Sequence, residues 1–221
     1  SVRCSLVRDV RLCTKRWQTT LKSVRIFRIN YMDVSKINIW KEFAEITGGK
    51  LIEPVSWHSD KTEIEYRNLK IVFDYYTLWS GKYSTVMTRA FISFVSADNF
   101  KFEIYRNGII RRIEKLFGAQ DVEIGRPEFD KAFIIKTNNE FKIKKLLNNQ
   151  KIRNHLENLK ELNIQISDQY GIWEHKLPEK ELQLSFFADG KISEIETLKI
   201  ILELIKEMTD ELFEMKSIII N

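Results

Sequence analysis

The sequence lacks most of the residue patterns that catalytic and metal-binding motifs require. It has only three histidines, His58, His155 and His175, and they form no His-x-x-x-His pair. Both cysteines lie within the first 13 residues, so the rest of the chain has no cysteine ligand and no disulfide framework. Neither a glycine-rich phosphate loop nor a Gly-x-Ser-x-Gly motif is present. We therefore expect no metal site and no cofactor.

Glycine, proline and long apolar runs are also scarce. Eight Gly and three Pro among 221 residues argue against a loop-built or low-complexity protein. No run approaches the roughly 18 apolar residues of a membrane-spanning helix, and the N-terminus lacks the apolar core of a secretory signal. A hydrophobic content of 43% is enough to bury a sizeable core. These features predict a globular protein in a reducing cytoplasm.

Positive charge is concentrated at the N-terminus. Residues 1–30 carry eight Lys or Arg and one acid, a net of +7 against +5 for the whole chain, which leaves the other 191 residues at −2. The basic segment 1–31 has several interpretations: a leader, an arm, a strand of the domain, or an extension before a natural start at Met32. We expect residues 32–221 to form a single domain that carries the function.

Apolar periodicity in the first half predicts a helix followed by antiparallel strands. Ser35 is the expected cap of a helix over 36–47, which Gly48 ends. Alternation predicts a hairpin of strands 62–66 and 69–75, and a content rich in β-branched and aromatic residues predicts a further strand over 83–96. Phe102 and Ile104 predict a third strand beside that one. A short helix is expected over 109–117.

The second half predicts more strands and a long C-terminal helix. We expect a turn at 125–127, a strand over 131–136, and a helix from Glu140 that breaks near Asn148. Short strands are expected at 164–166, 171–175 and 182–186. Ser193 and Glu196 form a capping-box pattern before a helix with one apolar face. The predicted class is α+β, a mainly antiparallel sheet with helices on one face and a long amphipathic C-terminal helix, in which 32–118 and 119–221 form two similar halves.

The most distinctive run surrounds Phe129 and Asp130. Here the acids Asp121, Glu123, Glu128 and Asp130 lie close together, and a pair of carboxylates can serve acid–base chemistry. Acids that enter a strand also cap backbone groups, and that structural role is favoured. We therefore interpret one set of residues as a structural signature rather than a catalytic site: Gly125, Phe129, Asp130 and Phe133.

An aromatic group around the end of a hairpin predicts a contact surface. Aromatic clusters line ligand pockets and protein interfaces, although a sheet core uses the same residues. The candidate surface consists of five residues within 27 positions: Trp57, Tyr75, Tyr76, Trp79 and Tyr83.

A basic helix face is the third candidate. Lys142, Lys145, Lys151 and Arg153 could meet phosphates, together with the basic N-terminal segment. Interleaved acids and the negative balance of residues 31–221 favour a solvated face instead.

The segment Asp121-Val122-Glu123-Ile124-Gly125-Arg126-Pro127-Glu128-Phe129-Asp130-Lys131-Ala132-Phe133 resembles a Gly-x-x-x-Phe-Asp-x-x-Phe pattern of bacterial domains of unknown function, including DUF3137-type proteins. Leu146, Arg153, Leu156 and Leu159 are similar to a helical pattern that follows it in those domains. The resemblance spans about residues 36–215 and implies a bacterial domain with no activity to transfer.

These patterns favour a non-enzymatic domain that binds a protein partner or a small apolar ligand through its aromatic group. A homodimer through the C-terminal helix is a further expectation. The alternatives are a hydrolase that uses the acids near Asp130, and a nucleic-acid binder that uses the basic N-terminal segment.

Overall fold

The computed structural model describes residues 38–54, 59–107, 120–172 and 175–219. Residues 38–221 form one compact unit, and the N-terminal segment 1–31 lies outside the described residues. The elements in chain order are α1 (Ile39–Thr47), β1 (Lys50–Ile52), β2 (Lys61–Tyr66), β3 (Leu69–Ser80), β4 (Tyr83–Ser96), β5 (Phe102–Arg106), β6 (Gln120–Asp121), α2 (Pro127–Ala132), β7 (Phe133–Thr137), α3 (Glu140–Asn148), α4 (Gln150–Asn158), β8 (Asn163–Ser167), β9 (Glu181–Asp189), α5 (Ile195–Glu214) and β10 (Ile218–Ile219).

One antiparallel sheet contains all ten strands. Nine run in the order β1-β2-β3-β4-β9-β8-β5-β7-β6, and β10 pairs with the last residues of β4. The fold is therefore α+β, as predicted, and the long helix α5 packs on the sheet. Strands from both predicted halves share this sheet, because β5 pairs with β7 and β8.

Strand β5 is not beside β4, contrary to prediction. Strand β9 pairs with β4 from Met87 to Val95, and β8 separates β9 from β5. The short turn after Ser96 suggested a neighbour, but the long apolar strand β9 takes that position. Its inward side chains Leu184 and Phe186 are fully buried there.

Helix boundaries follow local capping. Asn38 begins α1 by accepting hydrogen bonds from the N–H groups of Trp40 (3.1 Å) and Lys41 (3.4 Å), whereas the predicted cap Ser35 lies outside the described residues. Gly48 ends α1 in the left-handed conformation, with φ of 70°. Asn149 ends α3 and caps α4, which confirms the predicted break near Asn148.

Three local predictions were wrong. Pro127 occupies the first turn of a helix that reaches Ala132, so the strand of this region starts at Phe133 rather than Lys131. Helix α5 has Glu194 as its N-cap with no side-chain capping bond, so Ser193 forms no capping box. Gly171 and Ile172 lie in a bend and not in a strand. The predicted helix over 109–117 lies outside the described residues.

The main hydrophobic core lies between the sheet and its helices. Leu198, Ile201, Ile205 and Met208 of α5 are fully buried in it, and the rings of Phe43 and Phe73 meet edge-on at 4.9 Å. Burying each such side chain contributes about 2–3 kcal/mol. Among the described residues, no helix is both long and apolar enough to cross a membrane.

The sheet face away from the helices is partly buried as well. Its centre buries polar side chains in a hydrogen-bonded row: Gln183 Nε2 donates to Ser93 Oγ at 3.1 Å, and Ser185 Oγ donates to Gln183 Oε1 at 3.0 Å. Farther along, Asn163 Nδ2 donates to Glu103 Oε1 at 2.7 Å. Hydrogen bonding of this kind offsets the cost of burying polar groups.

Candidate functional site at the end of a hairpin

In the part of the chain that the structure describes, the β3–β4 hairpin extends beyond the strands on either side of it. Its strands pair as far as Ser80 and Tyr83, but the last pair with β2 is at Asp74 and the last pair with β9 is at Met87. Within the described ranges, residues 77–80 and 83–86 pair as strands only with each other. The Gly190 N–H still donates to the Val86 carbonyl at 2.9 Å, so about three residues per strand, at about 3.3 Å each, project by about 10 Å.

The hairpin end carries two exposed aromatic side chains on opposite faces. Trp79 is 67% exposed and Tyr83 is 81% exposed. Trp79 pairs with Ser84 and shares the helix-bearing face with Val86, whereas Tyr83 pairs with Ser80 and lies on the other face. The end therefore presents aromatic surface on both sides of the ribbon.

Charge is sparse along this part of the hairpin. Lys82, in the turn, is the only charged residue between Asp74 and Arg89, and no carboxylate occurs between Asp74 and Asp98. Gly81 allows the tight turn with a φ of 62°. The end thus combines two aromatic rings, small hydroxylated residues and one cation.

Tyr75 belongs to the base of the hairpin rather than to its end. Its ring lies 4.7 Å from the ring of Trp40, on the helix-bearing face, and its hydroxyl donates to the Ile192 carbonyl at 3.3 Å. Burial raises the pKa of the Tyr75 hydroxyl above its ordinary value of 10.0. Tyr75 therefore anchors the hairpin to the core.

Tyr76 is an anchor on the opposite face. It is 6% exposed, its hydroxyl donates to the Ile172 carbonyl at 3.0 Å, and the same oxygen accepts from the Ile172 N–H at 3.2 Å. Trp57 lies outside the described residues. Of the four described members of the predicted surface, Tyr75 and Tyr76 contact the fold, and Trp79 and Tyr83 are exposed.

A buried ion pair at the hairpin base was missed by the sequence analysis. Arg89 Nε and Nη2 donate to the two carboxylate oxygens of Asp74 at 2.9 and 2.6 Å. The guanidinium carbon lies 4.7, 4.7 and 5.1 Å from the ring centroids of Tyr76, Phe91 and Tyr170, so aromatic faces surround it.

Electrostatics keep this Arg89 side chain charged despite its burial. Burial lowers its pKa, but the hydrogen bonds and charge of Asp74 outweigh that effect, and the net pKa is raised. The sequence alone could have predicted this ion pair. A two-residue turn at Gly81-Lys82 pairs Ser80 with Tyr83, and that register places Asp74 opposite Arg89.

A second polar cluster has the residue types of a Ser–Lys catalytic pair. Lys142 Nζ donates to Ser217 Oγ at 2.9 Å and forms an ion pair with Asp98, which also accepts from Ser217 Oγ at 2.9 Å. Burial would raise the pKa of Asp98, but hydrogen bonds from Lys142 and the Phe100 N–H lower it overall. Asp98 already binds both Lys142 Nζ and Ser217 Oγ, and Ser217 is only 1% exposed, so a substrate cannot reach the serine. The cluster instead joins α3 to two turns.

The residues of the structural signature stabilise the loop and the short helix in which they lie. Asp130 accepts from the N–H groups of Ile124 (2.9 Å) and Arg126 (2.8 Å), and Gly125 between them has φ of 77°. Phe129 and Phe133 are buried with ring centroids 4.5 Å apart. The Asp130 carboxylate, which the hydrolase alternative would use in catalysis, thus already accepts hydrogen bonds from backbone N–H groups. Among the described residues, no group of three His, Cys, Asp or Glu side chains could hold a metal ion.

The basic helix face is largely engaged within the fold. Lys142 is paired with Asp98, Lys151 Nζ lies 2.9 Å from Glu207 Oε1, and Arg153 donates to the Leu147 carbonyl. Three of the four cations proposed to meet phosphates therefore already have partners.

Fold and site together define an α+β sheet domain with a projecting aromatic hairpin. No family model, no curated protein and no solved structure matches this chain. The resemblance to bacterial domains of unknown function stays a prediction.

Proposed function

We propose that the chain is a non-enzymatic binding domain and that the end of its β3–β4 hairpin is the contact surface. The exposure of Trp79 and Tyr83 carries this proposal, because β3 buries Tyr76 and Phe73 only a few residues away from Trp79. Exposed aromatic groups that project from a fold are typical of interaction sites.

The openness of the hairpin end favours a macromolecular surface over a small apolar ligand. Small-molecule sites are concave and enclose most of the ligand. Trp79 and Tyr83 face away from each other across the ribbon, so they cannot close around one small molecule.

Contact through the hairpin is favoured over a homodimer through the C-terminal helix. The apolar face of α5, which includes Leu202 and Leu212, is already buried against the chain's own sheet. What α5 leaves exposed is charged, as at Glu196 and Glu203. The Lys142–Ser217 cluster and Asp130, each held in internal hydrogen bonds, give the enzymatic alternative little support.

Site-specific photocrosslinking in cells tests the proposal. A photoreactive benzophenone amino acid replaces Trp79 in one variant and Phe141 in another; Phe141, on α3, is 78% exposed and serves as the matched control. We expect a defined covalent adduct from position 79 and none from position 141. Adding Tyr83→Ala should lower the yield at position 79 severalfold, because Tyr83 belongs to the same surface.

The proposal fails if positions 79 and 141 give the same adduct pattern, or if neither gives one. Mass spectrometry of the adduct identifies the partner's class without assuming it in advance. Circular dichroism of each variant shows whether the fold is retained.

A further inference from the structure

Aromatic groups on both faces of the hairpin end indicate contact from the tip. A flat protein surface laid against one face of the ribbon would touch Trp79 with Val86, or Tyr83, but not both. A soft layer into which the end of the ribbon inserts would contact all three of these side chains. The geometry therefore favours end-on insertion.

The composition of the end matches the headgroup layer of a bilayer. Trp and Tyr combine an apolar ring with a polar group, which suits an environment that is apolar on one side and wet on the other. Lys82 in the turn can extend its charged end toward phosphate groups while its apolar stem remains buried. Sequence neighbours add no repulsion, because carboxylates are absent between Asp74 and Asp98.

The projection is also long enough. The end reaches about 10 Å beyond the described neighbouring segments, and the interfacial layer is penetrated to about 5–10 Å by apolar groups of surface-bound proteins. Among the described residues, β2 and β9 stop before this depth, at Asp74 and Met87.

We infer that the end of the β3–β4 hairpin inserts into the headgroup layer of a phospholipid bilayer. This inference rests on the proposed function and names the partner of the same surface. Trp79 and Tyr83 supply the insertion, and Lys82 adds attraction to anionic lipid.

Vesicle co-sedimentation of the full chain tests the inference. The probes are large vesicles of phosphatidylcholine alone, and of phosphatidylcholine with added phosphatidylglycerol. We expect the wild type to sediment with both, and the double variant Trp79→Ala/Tyr83→Ala to lose about tenfold or more in partitioning. Lys82→Ala should lose about fivefold on the anionic vesicles only. Phe141→Ala, the matched exposed aromatic, should bind as the wild type does.

Tryptophan fluorescence tests whether the Trp79 side chain enters the lipid. The chain has five tryptophans, so the wild-type spectrum minus that of Trp79→Phe isolates the emission of Trp79. We expect this difference spectrum to shift to shorter wavelength when vesicles are added.

Three results would overturn the inference. They are no sedimentation of the wild type with either vesicle, equal binding by the double alanine variant, and a hairpin-dependent dimer that forms without lipid and blocks vesicle binding. None of these removes the hairpin-specific adduct expected from crosslinking. A protein adduct at position 79 without vesicle binding would therefore overturn the lipid inference and leave the contact surface standing.

Discussion

At its base the β3–β4 hairpin buries Tyr76 to 6% exposure, and at its end it leaves Tyr83 81% exposed. At the base, β9 reaches Met87, which lies opposite Tyr76, and the bend at Gly171 and Ile172 covers the Tyr76 ring. The end has no such flanking strands within the described residues. The difference teaches that similar aromatic side chains are buried or exposed according to whether a neighbouring strand or the bend at Gly171 and Ile172 covers them.

Breaking the ion pair at the base should produce the largest effect. Arg89→Ala leaves Asp74 without its partner in a mostly buried position and removes the contacts with three rings. We expect urea unfolding to show a loss of about 3 kcal/mol in the free energy of unfolding. The double variant Asp74→Leu/Arg89→Met, which removes both charges, should recover much of that loss. A cost below about 1 kcal/mol for Arg89→Ala would mean that the pair does not stabilise the base.

Alkaline pH should weaken the base through Tyr75. Folding raises the pKa of its hydroxyl by burial, so the folded state favours the protonated form. The stabilisation from this shift is fully present below about pH 10 and is lost as pH rises through the folded-state pKa. Tyr75→Phe cannot ionise, so its free energy of unfolding should fall less steeply than that of the wild type above about pH 10. Tyr66, whose pKa is also raised, first by burial, contributes equally to both proteins. Parallel curves for the two proteins would contradict this prediction.

Truncation at the end should have the smallest effect on stability. Trp79→Ala and Tyr83→Ala remove side chains that make little contact with the fold, so each should change the free energy of unfolding by less than about 0.5 kcal/mol. Phe141→Ala provides the comparison from another exposed aromatic. A loss above about 1.5 kcal/mol in the free energy of unfolding for Trp79→Ala would show that the hairpin end is packed against the fold rather than exposed.

The local features of the fold were predictable because their causes are local. Gly48 ends α1, and Asn149 divides α3 from α4. The β-branched and aromatic residues of 83–96 predicted strand β4 with the bounds observed, Tyr83–Ser96. Each depends on a residue's own backbone preference or on the side chains next to it.

Long-range pairing was not predictable in the same way. The position of β5 depends on β9, whose residues lie some 80 positions later in the chain and compete for the edge of β4. The exposure of Trp79 likewise depends on the ends of β2 and β9, not on its own sequence neighbours. The Asp74–Arg89 pair could have been predicted from the sequence, because the register of a two-residue turn places these residues opposite each other. Its burial by Tyr170 could not, because Tyr170 belongs to a segment from the other half.

The central position of β9 also constrains the order of events during synthesis. Strands β4 and β8 meet only through β9, so the sheet cannot close until Asp189 has left the ribosome. Until then the nascent chain carries two unpaired strand edges lined by Phe91, Ile92 and Ile164, which are templates for pairing with other chains. We therefore expect chaperones to bind the nascent chain during translation and to release it once residue 189 has emerged.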